Sequence, residues 1–397
     1  MLRELEDVRC ELLEGMVPVA TELRSLEQAT DRVLAVAPVP RTALPPFDNS
    51  AMDGYAVRAE DVRSVPVELR VVASVAAGEW CDRRLEAGEA ARIFTGAPIP
   101  GGADAVVMQE DTEPVTGDPG RIRILDGAKP WENIRFRGED VPAEAPLLAA
   151  GRRLDPTALG ILAAAGIGTV EVRRRPRVAI LVTGSELVGA DARLAPGQIF
   201  ESNSVMLAAL LRRAGGEPRG HPPVPDRAED IQAALRSAVA ESDLVVTVGG
   251  ASVGEHDLVR QTLTTLGGTV DAWRIAIRPG KPFFRGTLAG VPVLGLPGNP
   301  VSAFVTAVLL VLPALRRMQG ETSVLPPVTR AVLGEAISNP DSRRHFVRVC
   351  TAPDGMIRPS GPQASHRMAS LAAADGLLEV APQTRIESGT LVSVIRW

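Results

Sequence analysis

Lysine is nearly missing from this 397-residue chain: it occurs only at Lys129 and Lys281, although lysine and arginine together number 43. A chain that uses arginine almost everywhere else keeps a lysine inside Arg278-Pro279-Gly280-Lys281-Pro282. A compact ammonium and a planar guanidinium are not interchangeable at a ligand; chance placement is the competing reading. Cysteine is also scarce. Cys10, Cys81 and Cys350 are odd in number and far apart, with no CxxC pair and no zinc spacing. A reduced, cytoplasmic compartment is expected. The opening MLRELEDVRC is too charged for a secretory leader. The longest apolar run, 301–315, falls short of the roughly 18 residues that cross a bilayer and contains Pro313. A net charge of −5 leaves no basic footprint, so neither nucleic acid nor a membrane is an expected partner.

What is present is ordinary globular composition, 45% hydrophobic and 23% charged, in a chain long enough for roughly two to four domains. Leu2, Leu5, Val8, Leu12 and Leu13 recur at helical spacing. A proline-rich extended stretch follows over 37–47. Residues 47–141 read as all-β, with short β-branched runs between glycine turns. A helix over 156–165 and a short strand lead into a basic hinge, Arg173-Arg174-Arg175-Pro176. From there to about 325, strands are expected over 178–182, 244–248, 272–277 and 292–296, with helices after Asn203, Asp226 and Asn299. Such alternation implies right-handed crossovers and a parallel, doubly wound α/β sheet. Residues 326–397 return to short strands and turns.

Every polar glycine-rich cluster of the α/β region directly follows a strand. These are Thr183-Gly184-Ser185-Glu186, the run from Gly249 through Gly250, Ser252 and Gly254 to Asp257, the Arg278–Pro282 loop, and Pro297-Gly298-Asn299-Pro300. Ligands of open α/β sheets bind beyond the carboxyl ends of the strands, so four such loops predict one pocket. Gly249, Gly250 and Gly254 let backbone amides approach an anion. Asn299 and Pro300 read as cap and first residue of a helix aimed at the same edge. Arg278 and Lys281 supply positive charge; Glu186, Asp226 and Asp257 supply hard oxygens suited to magnesium. Neither GxxxxGK[ST] nor GxGxxG is present, which argues against a P-loop nucleotidase and a Rossmann dehydrogenase. Blander readings stand beside these. Asp226 opens Asp-Arg-Ala-Glu, a capping-box pattern; Asn299 reads equally as a cap; glycine loops often serve turn geometry alone.

A further cluster, Asp48-Asn49-Ser50-Ala51-Met52-Asp53-Gly54-Tyr55-Ala56-Val57, lies outside this sheet and holds the only tyrosine. By itself it reads as tight-turn chemistry. As a string it resembles the signature of the MoeA family of molybdopterin molybdenumtransferases, relatives of the C-terminal domain of gephyrin. Thr95-Gly96-Ala97, Arg137-Gly138-Glu139-Asp140 and the four sheet-edge loops follow in the family's order over essentially the whole chain. The resemblance implies a multidomain α/β protein with four parts: a central molybdopterin-binding α/β domain (1–26 and 176–325), a discontinuous linker domain (27–46 and 142–175), an inserted β domain (47–141) and a C-terminal β barrel (326–397). It implies a homodimer whose clefts join the central domain of one subunit to the inserted domain of the other. It implies reaction of adenylyl-molybdopterin with molybdate, releasing AMP and molybdenum cofactor, with Mg2+ or a similar divalent ion. The molybdopterin adenylyltransferase and acceptor molybdoenzymes are the implied protein partners.

Matched position by position, Asp53, Thr95, Asp140, Glu186, Asp226 and Asp257 are the implied catalytic residues, Glu186 and Asp257 also serving the metal. Arg278, Lys281, Ser302, Arg348 and Ser370 match positions of oxyanion capture; Gly249, Gly250, Ser252, Gly254, Pro297, Asn299 and Pro300 complete the implied substrate site. Two positions depart from the family pattern: Arg278 stands where lysine is common, and Phe136 where arginine or another polar residue is frequent. A related enzyme acting on another nucleotide conjugate and a non-catalytic scaffold are the alternatives. The Asp48–Val57 string argues against the first, the retained carboxylates against the second.

Overall fold

The computed structural model describes residues 2–249 and 258–397. Its centre is a seven-stranded sheet in the order Leu2–Arg3, Thr269–Ile275, Pro282–Leu288, Val291–Leu296, Leu244–Val248, Arg177–Val182, Glu217–Gly220. Strands covered on both faces need apolar residues on both, and the alternation supplies them. Val178, Ile180 and Val182 enter one core, Ala179 and Leu181 the other. Helices Leu5–Glu14 and Asn203–Arg213 pack into the first core; Ala228–Glu241 and Leu258–Thr265 pack into the second.

Two expectations are corrected. The sheet is mixed, because Pro282–Leu288 runs antiparallel to both its neighbours. That strand is masked in sequence by its opening proline and by Gly286, where a Cβ would stand 2.5 Å from the Thr269 carbonyl oxygen. The single strand expected over 272–277 is two. Thr269–Ile275 stays in the central sheet, while Ile277–Arg278 pairs in parallel with Arg344–Thr351 of the C-terminal sheet. Ala276 makes the turnover: its N–H donates to Arg3 and its carbonyl accepts from Arg344.

The helix after Asn299 is longer than the apolar run suggests, spanning Pro300–Met318, 19 residues. A π-helical turn, Ala307–Val311, interrupts it. Pro313 has no N–H to offer the Leu309 carbonyl four residues back, and its ring would strike that carbonyl in a regular helix. The wider turn absorbs the conflict. By length and composition this helix could cross a bilayer, yet 89% of its apolar window is buried inside the protein. It is the spine of the core, with Val301, Val305, Val308 and Leu315 each at 0% exposure.

The linker region pairs Thr21–Ser25 antiparallel to Thr169–Arg173. Residues 21–25 therefore leave the central sheet earlier than the boundary at 26 expected. Helix Pro156–Ala164 starts with a proline, and the Asp155 carboxylate accepts from the Ala158 N–H at 2.7 Å, a favourable cap. The inserted region is a six-stranded sheet with an apolar core on each face. The C-terminal region is a second β unit around Leu333, Val347, Leu378 and Val394.

Candidate functional site

The loops at the carboxyl edge of the central sheet touch one another through glycine. A Cβ on Gly249 would stand 2.6 Å from the Thr183 carbonyl oxygen, and one on Gly280 would stand 2.4 Å from Thr306 Oγ1. Both glycines also have φ in the left-handed region, 90° and 109°, where a side chain adds strain. Two cavities open between these loops, of about 600 and 500 Å3, and share Gly249, Gly298 and Asn299. They form one cleft with segregated charge. Arg278, Lys281 and Arg343 line one half; Glu186, Glu201 and Asp226 line the other.

In the cationic half, Asp341 lies 2.9 Å from Arg343 and 3.7 Å from Arg278. The hydrogen bond from Arg343 holds its carboxyl below the usual range. Lys281 is exposed, and among the described residues its ammonium has no side-chain partner. Pro297 and Ser302 also line this half. Asn299 occupies the N-cap position of the Pro300 helix, but its side chain makes no capping bond; it donates to Ser365 Oγ at 3.3 Å. The side-chain cap expected of Asn299 is therefore not formed, although the residue keeps the N-cap position.

In the acidic half, the capping-box reading of Asp226 is corrected too. The helix begins at Ala228 behind Arg227, without a side-chain cap. Asp226 instead accepts from the Ser185 N–H at 3.3 Å and donates its own N–H to Ser185 Oγ at 3.0 Å. This reciprocal pair fastens the Thr183–Glu186 loop. Glu186 folds back over Gly184, where a Cβ would come within 2.8 Å of the carboxylate. No described side chain binds it. Asn203, 7% exposed, donates to the Gly298 carbonyl at 2.9 Å and so holds the loop common to both halves.

Arg348 and Ser370 do not line either cavity. Arg348 is 0% exposed; its guanidinium donates to Ser370 Oγ at 3.1 Å and to the Pro362 carbonyl at 2.7 Å. The pair props the segment carrying Gln363, Ala364 and Ser365, which do line the cationic half. His345, buried beside them, is held down at about 4, by burial first and then by Arg278 and Arg348. Arg343, Gln363, Ser365 and Asn203 escaped the sequence reading. Only Asn203 left a signal, as the polar residue marking the start of an expected helix.

Asp53, Thr95 and Asp140 lie elsewhere, exposed, and line neither cavity. Asp53 accepts from the Thr95 N–H at 2.7 Å and Oγ1 at 2.8 Å; the backbone bond foremost holds its carboxyl below the usual range. Gly54 is required next to it, because a Cβ there would fall 1.9 Å from the Val107 carbonyl oxygen. Gly250, Ser252, Gly254 and Asp257 fall outside the described residues.

Three family models match in sequence along the chain: the MoeA N-terminal region (domain I and II) over residues 3–166, the probable molybdopterin binding domain over 179–317, and the MoeA C-terminal region (domain IV) over 330–397. Fold and site thus define a class, the molybdopterin-binding proteins of the MoeA type. More particularly, the chain is 38% identical to molybdopterin molybdenumtransferase 2 of Mycobacterium tuberculosis, over 99% of this chain and 98% of that one. It is 41% identical to the molybdopterin molybdenumtransferase of a Nostoc species, covering 82% and 75% of the two chains. The crystal structure of the molybdopterin biosynthesis MoeA protein from Pyrococcus horikoshii OT3 superposes with a TM-score of 0.87 at 31% identity, covering 100% of both chains. The chain belongs to the MoeA family.

Proposed function

We propose that this chain is a molybdopterin molybdenumtransferase, which inserts molybdate into adenylyl-molybdopterin and releases AMP and molybdenum cofactor. The observation that carries this reading is the charge-divided cleft. Molybdate is a tetrahedral dianion, and the half lined by Arg278, Lys281, Arg343 and Ser302 offers cations, a hydroxyl and a helix N-terminus to receive it. The acidic half suits the divalent ion. Among the described residues no three metal-ligating side chains converge, but Mg2+ is commonly held by one or two carboxylates plus substrate phosphates. Glu186 and Asp226 fit that need, with Asp257 the third candidate. Bound there, the ion would neutralise charge on the phosphoanhydride.

The residues themselves act by placement. Asp226 fixes the Thr183–Glu186 loop, Asn203 fixes Gly298, and Arg348 with Ser370 supports the wall that carries Ser365. Lys281 and Arg278 hold the oxyanion against the anhydride, so that a molybdate oxygen attacks the adenylyl phosphorus and the anhydride P–O bond breaks with the molybdopterin phosphate as leaving group. The transferred oxygen then parts from molybdenum as part of AMP, while the two dithiolene sulfurs take its place on molybdenum. Positioning and preorganised charge supply the acceleration. Asp53, Thr95 and Asp140 complete the cleft from a second copy, because in one chain they stand apart from both cavities. The enzyme works as a cytoplasmic homodimer between the adenylyltransferase that makes its substrate and the molybdoenzymes that take its product. Purified protein given adenylyl-molybdopterin, Mg2+ and molybdate should release AMP in proportion to enzyme. No AMP release would sink the reading, and sedimentation as a 41.9 kDa monomer at micromolar concentration would remove the shared cleft.

A further inference from the structure

The opposite edge of the central sheet carries a second charged cavity, of about 420 Å3, where the linker sheet meets the start of strand Arg177–Val182. Only arginine and glutamate line it: Arg24, Arg32, Arg174, Arg175 and Arg177, with Glu22 and Glu217. Five guanidiniums against two carboxylates leave the lining three charges positive. The adjoining Asp243 and Arg219, which pair with lining residues, cancel each other.

The pairing is uneven. Glu22 accepts from Arg24 at 2.6 Å and also from Arg32. Asp243 accepts from Arg174 through two bonds of 2.6 Å and lies 3.3 Å from Arg177. Glu217 is taken by Arg219 at 2.9 Å. Arg175, half-buried, has no side-chain partner among the described residues. The Arg24 Nε is buried with none. Cations held together on two domains, in excess of their carboxylates and around a cavity lined by no apolar residue, match a small polyanion. Guanidinium forks take phosphate oxygens two at a time.

We propose that this junction binds a small phosphate-bearing anion, separately from the cleft, and that the anion fastens the linker domain (Arg24, Arg32) to the hinge and central sheet (Arg175, Arg177).

The test is calorimetric titration of the full chain with inorganic pyrophosphate and, in a second arm, AMP, against sodium chloride at matched ionic strength. The expected result is an isotherm that survives Lys281→Ala but weakens at least tenfold in Arg175→Ala and in Arg24→Ala. Arg175→Lys should recover part of it. Arg175 holds no partner, so its removal should leave the melting temperature without anion unchanged. Molybdate-dependent AMP release should also persist in Arg175→Ala, which separates failure here from failure of the insertion reading. Pyrophosphate binding alone would sustain the proposal with a free anion as ligand, and AMP binding at the same residues would sustain it with a nucleotide phosphate. Heat no greater than chloride gives would overturn it. So would an isotherm lost in Lys281→Ala and kept in Arg175→Ala, because the anion would then sit in the cleft.

Discussion

The two edges of the central sheet use charge in opposite ways. At the amino edge, Arg174, Arg177 and Asp243 are tied into one hydrogen-bonded unit, and Asp243 is held well below the usual carboxylate range against the opposing effect of its burial. At the carboxyl edge, Glu186 and Lys281 stand exposed with no described side-chain partner. Charges paired within the fold serve the fold; charges kept unpaired beside a cavity are available to a ligand. The difference assigns Asp243 at one edge to stability, and Glu186 and Lys281 at the other to turnover.

The largest expected effect is at the carboxyl edge. Glu186→Gln should lower molybdate-dependent AMP release about a thousandfold, the scale of losing one preorganised electrostatic group, with the melting temperature unchanged. Normal turnover would make Glu186 merely a solvated residue. Lys281→Arg should cost on the order of a hundredfold, because the wider fork misplaces the donor between Pro279 and Pro282. Full activity at limiting molybdate would show that the retained lysine is an accident. The amino edge should answer in the other currency. Asp243→Ala strands two guanidiniums and should cost about 2–3 kcal/mol in urea unfolding, with turnover of the folded enzyme intact. A change in turnover larger than the change in stability would break the division.

The smallest effect sits where the two uses meet, at His345. Its folded value of about 4 lies below the ordinary 6.5, so the folded state refuses a proton that the unfolded chain accepts. Stability is then full above pH 6.5 and declines as pH falls toward 4, by about 2 kcal/mol at pH 5. The charged groups facing His345 are Arg278, Arg343, Arg348 and Asp341. Glu6 and Asp354, each held near 2 by an arginine, add their losses only below about pH 4.5. His345→Gln should flatten the upper part of that curve; an unchanged slope between pH 7 and 5 would exclude His345 as its source.

Legibility in the sequence followed locality. Strand Leu244–Val248 and the glycine loops were readable because each carries its own pattern: apolar residues for a strand buried on two faces, glycines where two backbones meet. The capping alternative for Asp226 stayed open in the sequence because its partner, Ser185, lies 41 residues away. Arg343, Gln363 and Ser365 could not be found from strand-and-loop grammar, since the C-terminal unit delivers them to the cleft from outside the sheet. Arg348 and Ser370 were placed on the wall from resemblance, whereas burial puts them behind it. The Asp48–Val57 string was legible as a family mark, and the Gly54–Val107 approach now supplies one physical reason for its glycine.

The turnover at Ala276 limits how far the chain can be divided. Two residues of the α/β segment complete the edge of the C-terminal sheet, and the Pro279–Pro282 loop starts at the next peptide bond. A chain cut near 325 would lose the partner strand Arg344–Thr351 and expose unpaired backbone at Ile277–Arg278, an invitation to association with other edges. The Lys281 loop would lose its anchor at the same stroke. Shuffling the last unit between relatives, or dispensing with it, should therefore disable the oxyanion half of the cleft beyond the loss of Arg343, Gln363 and Ser365 themselves.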